Sequence, residues 1–125
     1  DSMKFFKPEE FARFDLLRPE MKVFLDDLRG AFGAPLVVSS SFRDAAKNAA
    51  VGGEKDSAHT ASPVDGLYSG VDLTTLRNAV SGAELYQLVT IALKLGILRL
   101  GAYLNHVHFD METRLPQRVM WLGKG

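Results

Sequence analysis

Only three histidines occur in the chain, and all of them lie between positions 59 and 108, interleaved with carboxylates. His59 sits in Ser57-Ala58-His59, Asp72 in Gly70-Val71-Asp72-Leu73, and the other two histidines in His106-Val107-His108-Phe109-Asp110. Imidazoles and a carboxylate brought together form a usual catalytic shell for zinc, with a fourth position open to water. Thiolate ligation is excluded, because the chain has no cysteine. If residues 106–110 are extended, side chains alternate, so His106, His108 and Asp110 share one face while Val107 and Phe109 share the other. Asp72, flanked by Val71 and Leu73, is a carboxylate at the edge of a core and needs a partner there. A lone histidine is more often a hydrogen-bonded core or surface residue. It is the clustering that points to a metal.

The elements that must position these groups can be traced along the chain. Residues 8–11 read as a short helix, with Pro8 in its first turn and acidic residues at the positive end of the dipole, so that Phe11 and Phe14 cover core. A longer helix starts near Pro19-Glu20, carries Met21, Phe24, Leu25 and Leu28 at helical spacing, and stops before Gly33 and Pro35. That stripe is core, not a cofactor site. Residues 36–39 form a short strand that delivers Ser41 and Arg43 to its end. Alanines over residues 44–51 suggest a helix ended by Gly52-Gly53, which permit a sharp turn before Glu54-Lys55-Asp56 and His59. Beyond a strand at Asp72, Ser81-Gly82-Ala83-Glu84 has the capping-box pattern. Leu85, Leu88, Val89, Ala92, Leu93 and Leu95 would be the buried side of that helix, and Gly96 its stop. Residues 97–103 then form a strand, joined by a turn at Leu104-Asn105 to a strand over 106–111, and residues 118–122 add a last strand. The expected architecture is α+β: a small, mostly antiparallel sheet with helices packed on it and the metal site on the sheet.

At 125 residues the chain is long enough for one core and too short for two, so residues 1–125 are read as one domain. Hydrophobic residues at 46% and charged residues at 24% argue against disorder and against membrane insertion. Fifteen basic residues balance fifteen acidic ones, so no net field recommends nucleic acid or anionic lipid as a partner. The opening Asp1-Ser2-Met3-Lys4-Phe5-Phe6-Lys7 lacks the continuous apolar segment of about seven to fifteen residues that marks a secretory signal.

Taken together, Ser57-x-His59, the glycine-led Val71-Asp72-Leu73 and the closing His108-x-Asp110 resemble the zinc D-Ala-D-Ala carboxypeptidase and L-alanyl-D-glutamate endopeptidase family, which trims or cuts bacterial cell-wall peptides. The upstream run Ser39-Ser40-Ser41-Phe42-Arg43, followed by Asn48-Ala49-Ala50-Val51-Gly52-Gly53, is similar to the Ser-x-x-Arg element that precedes the first ligand in that family. The likeness covers roughly residues 36–111. It implies Zn2+ as cofactor, His59, Asp72 and His108 as its ligands, and Arg43 as the group that holds a substrate carboxylate or polarises its carbonyl. Ser41 and Ser57 are expected beside Arg43 in the substrate site. Ser57 is not read as a nucleophile, since no His-Asp pair remains free to activate it.

Relative to that family the stretch between His59 and Asp72 is long, and residues 60–71 read as an inserted loop. Asp65, at the shorter spacing, is a rival to Asp72, although Pro63 and Gly66 beside it favour a turn. Many members carry an acidic general base three residues before the last histidine, where this chain has Asn105. His106 is therefore expected as the base, with Glu112 or Asp65 next in line. Asp110 is expected to accept from a ligand imidazole, and Tyr103 and Trp121 to be core or cleft wall. The resemblance implies a peptidase acting on peptidoglycan stem peptides, as a D,D-carboxypeptidase or an L-Ala-D-Glu endopeptidase, and a monomer is expected. It would work in the cell envelope, outside the cell or on a phage particle. A catalytically silent zinc domain that binds cell-wall peptide or protein, and a metal-free structural or particle-assembly module, are the other two classes.

Overall fold

Helix α1 (Pro19–Phe32) begins with proline at its first position and ends on Gly33 in the left-handed region at φ 78°, as the sequence pattern anticipates. Its apolar stripe, Met21, Phe24, Leu25 and Leu28, is buried. The computed structural model describes residues 3–53 and 56–123, so the expected polar pair Glu54-Lys55 lies outside the described residues. After α1 come β1 (Val37–Ser40), α2 (Ala45–Ala50), β2 (Val71–Thr74), α3 (Gly82–Lys94), β3 (Arg99–Ala102), β4 (Val107–Asp110) and β5 (Val119–Leu122), with single 3₁₀ turns at Pro8–Glu10 and Phe14–Leu16. The fold is α+β, and no helix among the described residues is long and apolar enough to cross a membrane.

The strands make one sheet in the order β1-β2-β4-β3-β5. All neighbours are antiparallel except β3 and β5, which run parallel. Alternation then sorts the side chains. Val71, Leu73, Leu100, Val107 and Phe109 join one core with Phe24, Leu25 and Leu28 of α1 and Leu88 and Ala92 of α3. Within it the Phe24 and Phe109 rings lie 5.4 Å apart between centroids. The opposite face carries a single row across all five strands, because the register pairs Ser40 with Asp72, Asp72 with His108, His108 with Gly101, and Gly101 with Trp121. Hydrogen-bonded strands are about 4.8 Å apart. The row therefore brings a carboxylate and an imidazole side by side with no long-range contrivance.

Helix α3 opens on the anticipated capping box: Glu84 N–H donates to Ser81 Oγ at 3.1 Å and Ser81 N–H donates to Glu84 Oε1 at 2.9 Å. Its buried side is narrower than expected. Leu93 is 55% exposed and Leu95 is 41% exposed, contrary to the reading of both as core. Leu93 lies five residues from Leu88, about 140° around the helix from that buried stripe, and Leu95 is the C-cap residue past the last helical turn.

The segment expected as an inserted loop is tied to the N-terminal turns. Tyr68 is buried, its hydroxyl donates to Ala12 O at 2.8 Å, and its backbone exchanges hydrogen bonds with Leu16 and Arg18.

Candidate metal site and active-site cleft

His59 reaches the sheet on a loop, and the loop is held by its backbone. Ser69 N–H and Gly70 N–H both donate to Ala58 O, and Arg43 N–H donates to His59 O at 2.8 Å. This approach requires glycine at 70, because a Cβ there would lie 2.7 Å from the Ala58 carbonyl carbon and 2.7 Å from His59 N. The ring is then fixed by one bond: His59 Nδ1 donates to Ser41 O at 2.7 Å, since a carbonyl can only accept. That leaves Nε2 for Asp72, whose Oδ1 lies 3.3 Å away: it can present a lone pair to a metal ion or, when protonated, a proton to that carboxylate.

His108 is fixed in the complementary sense. Its Nε2 donates to Asp110 Oδ2 at 2.6 Å, and its Nδ1 lies 2.8 Å from Asp72 Oδ1. Asp110, wholly buried, is held in turn by Arg99, whose Nε donates to Asp110 Oδ1 at 2.7 Å and whose Nη1 donates to Pro116 O at 2.6 Å. The result is a chain from Arg99 through Asp110 to His108 that aims one nitrogen at Asp72. Such partners fix ring orientation and raise the basicity of a ligand imidazole.

His59, Asp72 and His108 each present one ligand atom, and these atoms lie within 4.8 Å of one another. Their electrostatics are those of a site built around positive charge. Burial pushes the His108 imidazole down, but its hydrogen bonds to Asp110 and Asp72 and their charges outweigh burial and raise it to about 9. Burial pushes the Asp72 carboxyl up, and the hydrogen bonds and charges of His108 and His59 hold it well below the usual carboxylate range instead. With two carboxylates flanking it, His108 takes a proton when nothing else supplies a cation. The donor set, two imidazole nitrogens and a carboxylate oxygen already turned toward one point, fits a divalent metal.

The sequence matches the model of the family described as Peptidase M15 over residues 6–110. The chain belongs to the M15 peptidases. This is the zinc D-Ala-D-Ala carboxypeptidase-like family, a family of metal-dependent hydrolases. Comparison with curated proteins and with solved structures returned no match. The match begins about thirty residues before the region of motif likeness (residue 6 against roughly residue 36), and so takes in the N-terminal turns and α1 as well as the site.

Around His59, Asp72 and His108 lies a cleft of about 1200 Å³, lined among others by Arg43, Ser57, Arg99, Tyr103, His106 and Trp121. It is large enough for a short peptide. Arg43 Nε is buried without a hydrogen-bond partner, and among the described residues no carboxylate pairs with this guanidinium. His106, half-buried at the start of β4 and one residue outside it, turns Nε2 toward Asp72 Oδ2 at 3.6 Å, while Nδ1 meets Asn105 Oδ1 at 2.9 Å. Burial lowers the His106 pKa from its ordinary value, the charge of Asp72 pulls it back up, and the neighbouring imidazoles lower it again.

Several expected residues stand elsewhere. Ser41 does not line the cleft: its hydroxyl is buried, accepting from Ala12 N–H at 2.9 Å, and its role at the site is the carbonyl that orients His59. Ser57 does line the cleft, and its Oγ accepts from His59 N–H at 3.2 Å, which shapes the ligand loop. Asp65 is no rival to Asp72, since it sits in an exposed turn with both oxygens on Arg18 at 2.8 and 3.1 Å. Glu112 is buried against Arg114 at 2.9 Å, outside the cleft lining, and is not placed to serve as a base. Arg99 was missed by the sequence reading. Its only signal there is a charge inside an apolar strand, Leu98-Arg99-Leu100.

Proposed function

We propose that this M15 peptidase is a zinc enzyme that cleaves peptidoglycan stem peptides, of the D,D-carboxypeptidase or L-Ala-D-Glu endopeptidase type. The observation that carries the reading is the convergence of His59 Nε2, Asp72 Oδ1 and His108 Nδ1, each with its remaining polar atoms occupied elsewhere or turned into the cleft. These three residues would hold the ion. When bound, zinc supplies Lewis-acid chemistry, polarising a peptide carbonyl and lowering the pKa of a water from about 15.7 to about 7.

The chain's own groups do the rest. Arg43, a cleft cation without a counter-charge among the described residues, pairs with a substrate carboxylate or with the oxygen of the scissile carbonyl. His106 accepts the proton of the attacking water at Nε2 and returns it to the leaving amine. Its Nδ1 is committed to Asn105, so Asn105 supports the base from the position where relatives carry an acid. Arg99 and Asp110 keep His108 in one orientation through the cycle. In this reading the enzyme acts as a monomer on a cell-wall substrate, in the envelope, outside the cell or on a phage particle.

The absence of a carboxylate at 105 favours one competing reading, a zinc domain that binds cell-wall peptide without cutting it. Digestion of purified peptidoglycan, followed by mass spectrometry of the fragments, separates the two. The peptidase reading predicts new peptide termini that vanish on chelation and return with zinc, and the bond cut names the type. Intact peptidoglycan with a full zinc complement would contradict it.

A further inference from the structure

We propose that Tyr103 is a positioning residue for His106. The inference rests on the reading of His106 as the proton-transferring group, and it concerns what holds that ring in place. Tyr103 and His106 face each other across the β3–β4 hairpin, where Tyr103 N–H donates to His106 O at 3.0 Å. Their rings are stacked, with centroids 4.4 Å apart and planes 9° from parallel. Cross-strand aromatic pairs of this kind are the units that fix side chains on a hairpin.

Tyr103 is itself locked from two other sides. Its hydroxyl accepts from Trp121 Nε1–H at 3.0 Å. Its ring also occupies the space a side chain at 123 would fill, since a Cβ on Gly123 would lie 1.8 Å from Tyr103 Cε2. Trp121 can reach this position because Gly101 beneath it has no side chain: a Cβ there would lie 2.4 Å from the indole. So β5 and the residue after it press Tyr103 onto one face of the imidazole, while Asn105 takes Nδ1–H in the ring plane. A half-buried histidine at a hairpin end could swing into solvent. Here two independent restraints leave Nε2 turned toward Asp72.

The stack, not the hydroxyl, carries this role, which makes Tyr103→Phe and Tyr103→Leu the discriminating pair. Two readouts apply: steady-state kinetics on a peptidoglycan-derived peptide, and NMR of the metal-free protein, in which Tyr103 should shift the carbon-bound ring protons of His106 upfield. Tyr103→Phe is expected to keep both the upfield shift and most of kcat. Tyr103→Leu is expected to lose the shift and to lower kcat on the order of tenfold or more, the scale of a misplaced catalytic group, with KM and zinc content unchanged. Adding Tyr103→Leu to His106→Gln should cost nothing further. Gly123→Ala gives a second route, because its Cβ would displace the Tyr103 ring from behind and should reproduce both effects. If His106→Gln lowers kcat while Tyr103→Leu and Gly123→Ala do not, the positioning role is overturned and the base assignment stands. If His106→Gln is fully active, the base assignment falls. Unchanged His106 ring shifts in Tyr103→Leu would overturn the positioning role in either case.

Discussion

Gly70→Ala is the smallest change that should disable the site without touching a ligand. The added methyl would sit 2.7 Å from the Ala58 carbonyl carbon and 2.7 Å from His59 N, so restoring an ordinary contact of 3.4 Å requires the two backbones to part by about 0.7 Å (3.4 less 2.7). Both neighbours are main-chain atoms, so no flexible side chain can absorb the shift. Parting them also loosens the Gly70 N–H bond to Ala58 O, now 2.7 Å, and the weaker Ser69 bond at 3.2 Å. Forcing a methyl into a closely packed place costs about 1–3 kcal/mol. For a chain of this size that is roughly 3–6 °C of melting temperature per kcal/mol. The larger effect should be on the metal, because His59 moves with the loop. Disturbing the support of a ligand typically lowers metal affinity about 10–100-fold. Chelator competition measures that affinity, and thermal denaturation of the metal-free protein measures the packing cost separately. Wild-type affinity together with a wild-type melting temperature would refute the claim that this close approach places His59.

Two further substitutions probe the rest of the site. Asp110→Asn removes the counter-charge of a buried Arg99 and weakens the hold on His108 Nε2, so stability should fall by about 3–5 kcal/mol. Its metal affinity should fall about 10–100-fold; unchanged zinc binding by calorimetry would show that the Arg99–Asp110 pair serves packing alone. Arg43→Lys keeps a charge but loses the two-pronged donor geometry, so hydrolysis of a substrate with a free C-terminal carboxylate should drop well below wild type at full zinc content, and equal kcat/KM would place Arg43 outside the substrate contacts.

Local rules carried the reading where the structure is itself local. The α1 stripe, the Ser81 and Glu84 box and the turn at Gly52, at φ 74°, needed only neighbours in sequence. The grouping of His59, Asp72 and His108 was legible for another reason: with only three histidines in the chain, scarcity drew attention to that stretch, and the family resemblance chose Asp72 among fifteen acidic residues and His108 over His106. What escaped depends on register. Arg99 becomes meaningful only when the hairpin sets it opposite Asp110. Ser41 was placed in the substrate site, but the N-terminal turns fold across the chain and claim its hydroxyl through Ala12, leaving the carbonyl to act on His59. Glycines at 70, 101 and 123 look alike in sequence, and each is required by a different close approach that only the assembled sheet creates. The buried side of α3 was overestimated because periodicity cannot say how far a five-stranded sheet extends beneath a helix.

In the proposed site, His59 Nε2, Asp72 Oδ1 and His108 Nδ1 together hold one metal ion. A crystal of the zinc-loaded protein measured at the zinc absorption edge tests it directly. The expected result is a single anomalous peak bonded to His59 Nε2, Asp72 Oδ1 and His108 Nδ1, with His108 Nε2 still on Asp110 and His106 unbonded to the ion. A peak that includes His106 or omits His108, or no peak in this cleft, would contradict it.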